Sequence, residues 1–190
     1  MKRLSILTFF VLQVFSNDIF SQVKVQGVTL PPKLGKDDKS CILNGAGVRN
    51  KYFMNVYVAG LYLPAKTSKP EEIINADKPM AVRMQIISAL VTQERMTSSM
   101  IEGFEKSTGG KTAPIKNEID MCVKIFKSEP VKVGDFYDVF YIPGEGVTAS
   151  KNGKKIDILI PGLQFKKYLF AIWLGKDPVD DPLKDKMLGL

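Results

Sequence analysis

The chain has 190 residues, 45% of them hydrophobic and 25% charged, with a formal net charge of +7. That size and balance fit one domain able to bury a core without metals or disulfides, and exclude a disordered or membrane-embedded chain. Histidine is absent, which removes Ser-His-Asp and Cys-His catalysis and most zinc sites, so any chemistry rests on Arg, Lys, Tyr, Thr and carboxylates. The lysines are spread along the chain and are not stacked with aromatics on one element. They read as a solvated basic surface that attracts anionic ligands or head groups, with no nucleic-acid partner.

Residues 1–22 have the form of a cleavable signal peptide. Lys2 and Arg3 give a positive start, Leu4 to Phe15 is apolar, and Ser21 is a small residue at a plausible cleavage point. The apolar run is too short to span a bilayer comfortably. The expectation is an exported protein, periplasmic or secreted, whose domain is 23–190 and which keeps no stable membrane span after cleavage. Val23 to Leu30 predicts an opening strand ended by Pro31-Pro32, followed by a charged loop over Lys33 to Lys39. Cys41 to Leu43 begins a strand that Asn44-Gly45-Ala46-Gly47 breaks. The glycines flanking Arg49 imply a backbone that a ligand or another segment approaches closely. Tyr52 to Leu63 predicts a long strand, rich in Val and Tyr.

Pro70 to Ala76 predicts a short helix with Ser68 as its cap, and Ala81 to Leu90 a strand. Thr92 caps the next helix, on which Met96, Met100, Ile101 and Phe104 form one apolar stripe. A second helix follows Thr112 and Pro114, its face carrying Ile115, Ile119, Cys122, Val123 and Phe126. Cys122 on that face reads as a free buried thiol; the spacing of Cys41 and Cys122 matches no metal motif and leaves their pairing open. Phe136 to Ile142 is a third β-prone run. Asn152-Gly153 is the hairpin signal between Val147–Ser150 and Lys155–Ile160. Leu163 to Leu174 is a helix stopped by Gly175, and Asp181-Pro182 starts a last one reaching Leu188. Gly144-Glu145-Gly146 lies between two strands, so it reads as a loop between antiparallel strands and not a phosphate loop. The links are too short for parallel crossovers, which predicts an α+β fold: an antiparallel sheet with helices on one face.

Gly45-Ala46-Gly47-Val48-Arg49 and Val58-Ala59-Gly60-Leu61-Tyr62-Leu63 resemble the first core strands of chalcone isomerases. Phe170 to Pro178 and Leu183 to Gly189 are similar to the C-terminal helices of bacterial chalcone-isomerase-like proteins. The resemblance covers about residues 24 to 190. It implies an open-faced β-sandwich, a large antiparallel sheet covered on one face by helices, with a ligand cleft between the layers. It also implies that the arginine matching Arg49 holds an anion: the substrate in the plant enzymes, a fatty-acid carboxylate in the plastid relatives. Either use needs a permanent cation with forked donors facing an oxyanion. The sequence departs from the enzymes where their catalytic threonine aligns with Tyr57. Their tyrosine falls near Glu94 or Arg95, and their asparagine near Met100 or Ile101.

The expected site is therefore a small acidic or lipid-like ligand held by Arg49. Tyr57 either donates to it or packs in the core, and Met96 and Met100 either line the tail or form core. Tyr62 reads as packing. No cofactor or metal is expected. The leading function is non-catalytic binding of a fatty acid or similar acidic amphiphile. The alternative is an isomerase, an intramolecular lyase acting on an unsaturated substrate with Arg49 stabilising the developing anion. The leader and the bacterial look of the C-terminal segment suggest a Gram-negative envelope.

Overall fold

The computed structural model describes residues 22–190 except Lys36 and Ser128; apart from Gln22, the expected leader lies outside the described residues. The opening run is a small hairpin and not one strand. β1 (Val23–Val25) and β2 (Val28–Leu30) pair antiparallel about Gln26 and Gly27, both at positive φ. β3 (Lys33–Leu34) edges the main sheet. It is followed by β4 (Cys41–Lys51), β5 (Met54–Leu63), a short α1 (Pro70–Asn75) and β6 (Met80–Ile86). Then come α2 (Gln93–Ser107), α3 (Lys116–Lys127), β7 (Phe136–Ile142), β8 (Gly146–Lys151), β9 (Lys154–Ile160), α4 (Leu163–Leu174) and α5 (Asp181–Met187). β3 to β9 form a seven-stranded sheet in sequence order, every neighbour antiparallel.

Period-two alternation divides each strand between two cores. Tyr57, Ala59 and Leu61 of β5, Val82 and Met84 of β6, and Tyr137 and Val139 of β7 face the helices. There they meet Phe104 of α2, Phe126 of α3, and Leu169 and Phe170 of α4. The opposite face carries Val58, Tyr62 and Ala81, covered by Val28 and Leu30 of the β1–β2 hairpin. The sandwich is thus open-faced, with a small flap on its second side. Tyr62 lies there, its hydroxyl donating to the Pro31 carbonyl at 3.0 Å, so it is packing as expected. Cys41 also lies on this side and Cys122 among the helices; both are buried free thiols, and burial pushes them up to about 11 and about 12. Between Arg83 and Asp138, directly opposite on β6 and β7, a forked ion pair of 2.6 and 2.7 Å bridges the strands.

The predicted break at Asn44–Gly47 is absent: β4 runs through it. Asn44 is instead an extra residue in the ladder, which passes from Leu43↔Tyr62 directly to Gly45↔Leu61. Such a bulge reverses the alternation. Before it, Cys41 and Leu43 face the flap; after it, Ala46 and Val48 do. Gly45, Gly47 and Arg49 therefore turn to the helical side. The glycines are required by α5 and not by a ligand. A Cβ on Gly45 would run into the Lys186 carbonyl and sit 2.8 Å from that of Met187, and one on Gly47 would sit 2.7 Å from the Lys186 Cβ. The Asn44 amide locks this approach, its Nδ2 donating to the Met187 carbonyl and its Oδ1 accepting from the Thr67 N–H, both at 2.8 Å.

Other boundaries shift for local reasons. Tyr52 is not in β5; Tyr52 and Phe53 are the two turn residues joining β4 to β5, at φ 51° and 64°. β6 stops at Ile86, and the predicted remainder to Leu90 is a loop leading to α2. Ser68 does not cap α1, whose N-cap position is Lys69 without a side-chain cap. Asp180, one residue earlier than predicted, caps α5 by accepting from the Leu183 N–H at 2.8 Å. The open end of α1 is closed by a residue the sequence did not single out. Lys166 of α4 is fully buried, and its ammonium donates to the carbonyls of Ile73, Ile74 and Ala76 at 2.8 Å each.

Two outcomes follow. Gly45→Ala forces α5 off β4 and lowers stability by about 1–3 kcal/mol, the range for overpacking, as a shift of the urea midpoint will show. Burial, with Lys167 beside it, lowers the Lys166 pKa from 10.5 to about 8 against the pull of Asp77. Below that value folded and unfolded chains both hold the proton. Between about 8 and 10.5 only the unfolded chain does, so this group makes stability rise with pH across that window. An NMR titration of the Lys166 side chain centred near 10.5 would contradict this.

Candidate functional site

The β4–β5 hairpin, the loop after β6 and the first half of α2 enclose a cleft of ≈ 350 Å³. Its walls are mostly apolar: Met54 and Val56 from β5, Leu90 and Val91 from the loop, and Met96 from α2. A second bulge shapes it. The ladder passes from Arg49↔Tyr57 to Asn50↔Asn55, leaving Val56 as the extra residue. Val56 therefore packs against the helical core although its neighbour Tyr57 does too.

Arg49 lies at the inner end, 5% exposed. The Asn44 bulge has turned it inward, and the Asn50 N–H beside it is held by Asp180 Oδ2 at 2.7 Å. Asp180 thus ties the start of α5 to the strand next to the arginine with one oxygen and caps the helix with the other. Arg49 enters no ion pair among the described residues. Its Nε is buried with no hydrogen-bond acceptor. Its guanidinium stands 5.5 Å from the centroid of the Tyr57 ring, close enough for a cation–π contact. A buried donor without an acceptor is costly, so an acceptor placed beside it would be stabilised.

Tyr57 is buried, and its oxygen accepts from Trp173 Nε1 at 3.0 Å. Burial raises the phenol's pKa; Arg49 and the Trp173 hydrogen bond oppose that rise. The phenol stays protonated, and its own proton has no acceptor among the described hydrogen bonds. Tyr57 packs in the core, the second of its two readings, and borders the same small void as Arg49. Behind Arg49 lies a void of ≈ 20 Å³, room for about one water, bordered by Tyr57, Met84, Met96, Met100 and Trp173. Met96 borders both spaces. Met100 borders only the inner one, so of the two predicted methionines Met96 alone reaches the cleft proper.

Glu94 lies on the cleft wall near the start of α2. Hydrogen bonds from its own backbone N–H and the Thr92 hydroxyl hold its carboxyl below the ordinary range, so it is ionised at neutral pH. It would repel an anion lodged beside it, whereas Lys51 and Arg95 on the same walls and Arg49 at the inner end would attract one. No metal-holding cluster exists among the described residues. The sequence reading missed Val56, Leu90, Val91 and Trp173. Trp173 was legible as the single tryptophan of an apolar helix face, but the bulge that brings Val56 inward has no sequence mark.

An antiparallel sheet covered on one face by helices, with a cation at the inner end of an apolar cleft, defines an open-faced α+β domain. The family model described as chalcone isomerase-like matches residues 22–189, and the chain belongs to that family. No curated protein sequence matches it. Among solved structures, a fatty-acid binding protein of Arabidopsis thaliana is similar. It is 17% identical, with a TM-score of 0.67 over 85% of this chain and 92% of that one, and it shares the fold.

Arg49→Met tests whether the arginine is there for stability. It replaces an unpaired buried cation by an apolar chain of similar length, so the ligand-free protein should gain about 1 kcal/mol or more. A loss of similar size in thermal or urea unfolding would show that Arg49 is structural.

Proposed function

We propose that this protein is an exported binding protein for a fatty acid or similar small acidic amphiphile, with the carboxylate on Arg49 and the apolar tail along Met54, Val56, Leu90, Val91 and Met96. The observation that carries it is Arg49, buried without an ion pair and with its Nε unsatisfied, at the inner end of an apolar cleft. The fatty-acid-binding neighbour of the same fold supports it. Arg49 offers a forked cationic donor and Tyr57 a free phenolic proton, which together match the lone pairs of one carboxylate. Charge neutralisation on binding relieves the cost of the bare cation, so affinity comes from the protein's own strain as well as from tail burial.

Binding is favoured over isomerisation by the donors themselves. Both are held in forms that do not exchange protons near neutral pH: the guanidinium permanently charged, the phenol raised and committed to Trp173. General acid–base work needs a group poised near the working pH.

Lipid extraction and mass spectrometry of the purified protein should find a carboxylic amphiphile near one per chain. Arg49→Ala should weaken its binding by about 1.5–3 kcal/mol, roughly ten- to a hundredfold. Affinity should also fall as pH drops through the ligand's carboxyl pKa, about 4–5 by analogy with glutamate. Unchanged affinity in Arg49→Ala, or turnover of an unsaturated ketone with no bound lipid, would reject the assignment.

A further inference from the structure

The turn joining β4 to β5 is unusual chemically. Two-residue hairpin turns with both residues at positive φ select Asn-Gly, because bulky side chains are strained there. Here they are Tyr52 and Phe53, at φ 51° and 64°. Both rings project outward, Tyr52 79% and Phe53 108% exposed, the latter as open as a free residue. Leu90, 53% exposed, lines the same cleft as Tyr52. Strain held at a position that buries nothing points to a use for the side chains outside the domain.

The cleft carries charges of both signs with basic residues in excess, Arg49 among them being buried. Of the ionisable cleft residues, Arg49, Lys51 and Arg95 are basic and Glu94 is acidic. The Lys51 ammonium lies 5.7 Å from the Tyr52 ring and pairs with Glu102 at 3.0 Å, a half-exposed contact. Arg95 donates to the Leu90 carbonyl at 2.7 Å, which holds its cation on the cleft wall. The chain carries +7, and +6 without Lys2, Arg3 and Asp18 of the expected leader. A convex tip of two aromatics, each burying roughly 150–250 Å², is too small for a stable protein interface, which needs about 1,200 Å² or more. Exposed aromatic rings beside Lys51, on a chain with a net basic excess, do suit the head-group zone of an anionic bilayer.

We infer that the Tyr52–Phe53 hairpin tip, with Leu90, docks this protein on the surface of an anionic phospholipid membrane and opens the cleft toward it. The inference rests on the amphiphile reading of the cleft for its purpose. Arg49 at the inner end and an apolar mouth imply that a ligand enters head first, its tail trailing out past Tyr52. An amphiphile in a bilayer presents its head group at the surface and keeps its tail in the hydrocarbon. A docked tip would let the head reach Arg49 while the tail leaves the membrane last, without crossing water.

Phe53→Trp in the full chain gives a local readout, since Trp173, the only other tryptophan, is buried. With vesicles of phosphatidylcholine and roughly one-third phosphatidylglycerol bearing brominated acyl chains, emission from the introduced indole should shift to the blue and be quenched at least twofold, as expected for an aromatic ring seated at the head-group level. Pure phosphatidylcholine should quench it much less. Tyr52→Asn with Phe53→Gly supplies the unstrained turn, so that protein should melt higher yet take a fluorescent fatty acid from anionic vesicles at least tenfold more slowly. Arg49→Ala in the Phe53→Trp background should lose the fatty acid and keep the quench, which separates failure of docking from failure of the site. An unquenched tip overturns the inference. So does quenching indifferent to lipid charge, or a blue shift that grows with protein concentration in the absence of lipid, which would assign the tip to a second copy.

Discussion

One inserted residue decides which side of the sheet Arg49 occupies. Without Asn44 as an extra member of β4, strict alternation would put residue 49 on the face of Cys41 and Leu43, beneath the N-terminal flap. With it, Arg49 points to the helices. The bulge is held by both ends of the Asn44 amide, one on the C-terminal helix and one on the chain after β5. A bulge left unanchored is a point of register slippage; here two hydrogen bonds to separate segments fix it. The cleft, the cation and the docking of α5 depend on this single choice of register.

The same arrangement explains the Gly-x-Gly-x-Arg pattern in physical terms. The two glycines and the arginine lie on one face of one strand. The glycines give up side chains so that α5 can lie against the backbone, and the helix so placed brings Asp180 to the peptide next to Arg49. The motif is one mechanical unit: two absences that admit a helix, and one presence that the helix confines.

Much of the fold was legible because its signals are local. The Thr92 cap, the α3 apolar stripe, the Asn152-Gly153 turn and the Gly175 stop each depend on neighbours within a few residues. Gly45 and Gly47 were legible as special but not as to cause, since the sequence marks a close approach without naming what approaches. Arg49 was found through the family resemblance; its residue type alone suits a surface ion pair equally well. Val56 and Lys166 were out of reach. A bulge reverses the side-chain period invisibly, and a lysine in a helix reads as solvent-facing until the open carbonyls of another helix come to meet it. Tyr52 and Phe53 were read as strand because aromatics favour strands, and here the demand for a tight connection prevailed over that preference.

The bond from Asn44 to Met187 joins residues 143 apart in the chain, while every strand of the main sheet pairs with its successor. Local pairings are rewarded early in folding; a closure this long pays its loop entropy before it gains anything. The meander can therefore exist before the C-terminal helix arrives, but the surroundings of Arg49 cannot. Until that last segment seats, the cation remains hydrated and water competes for any anion it meets. The enclosure of Arg49 is thus complete only once the C-terminal helix has seated on β4.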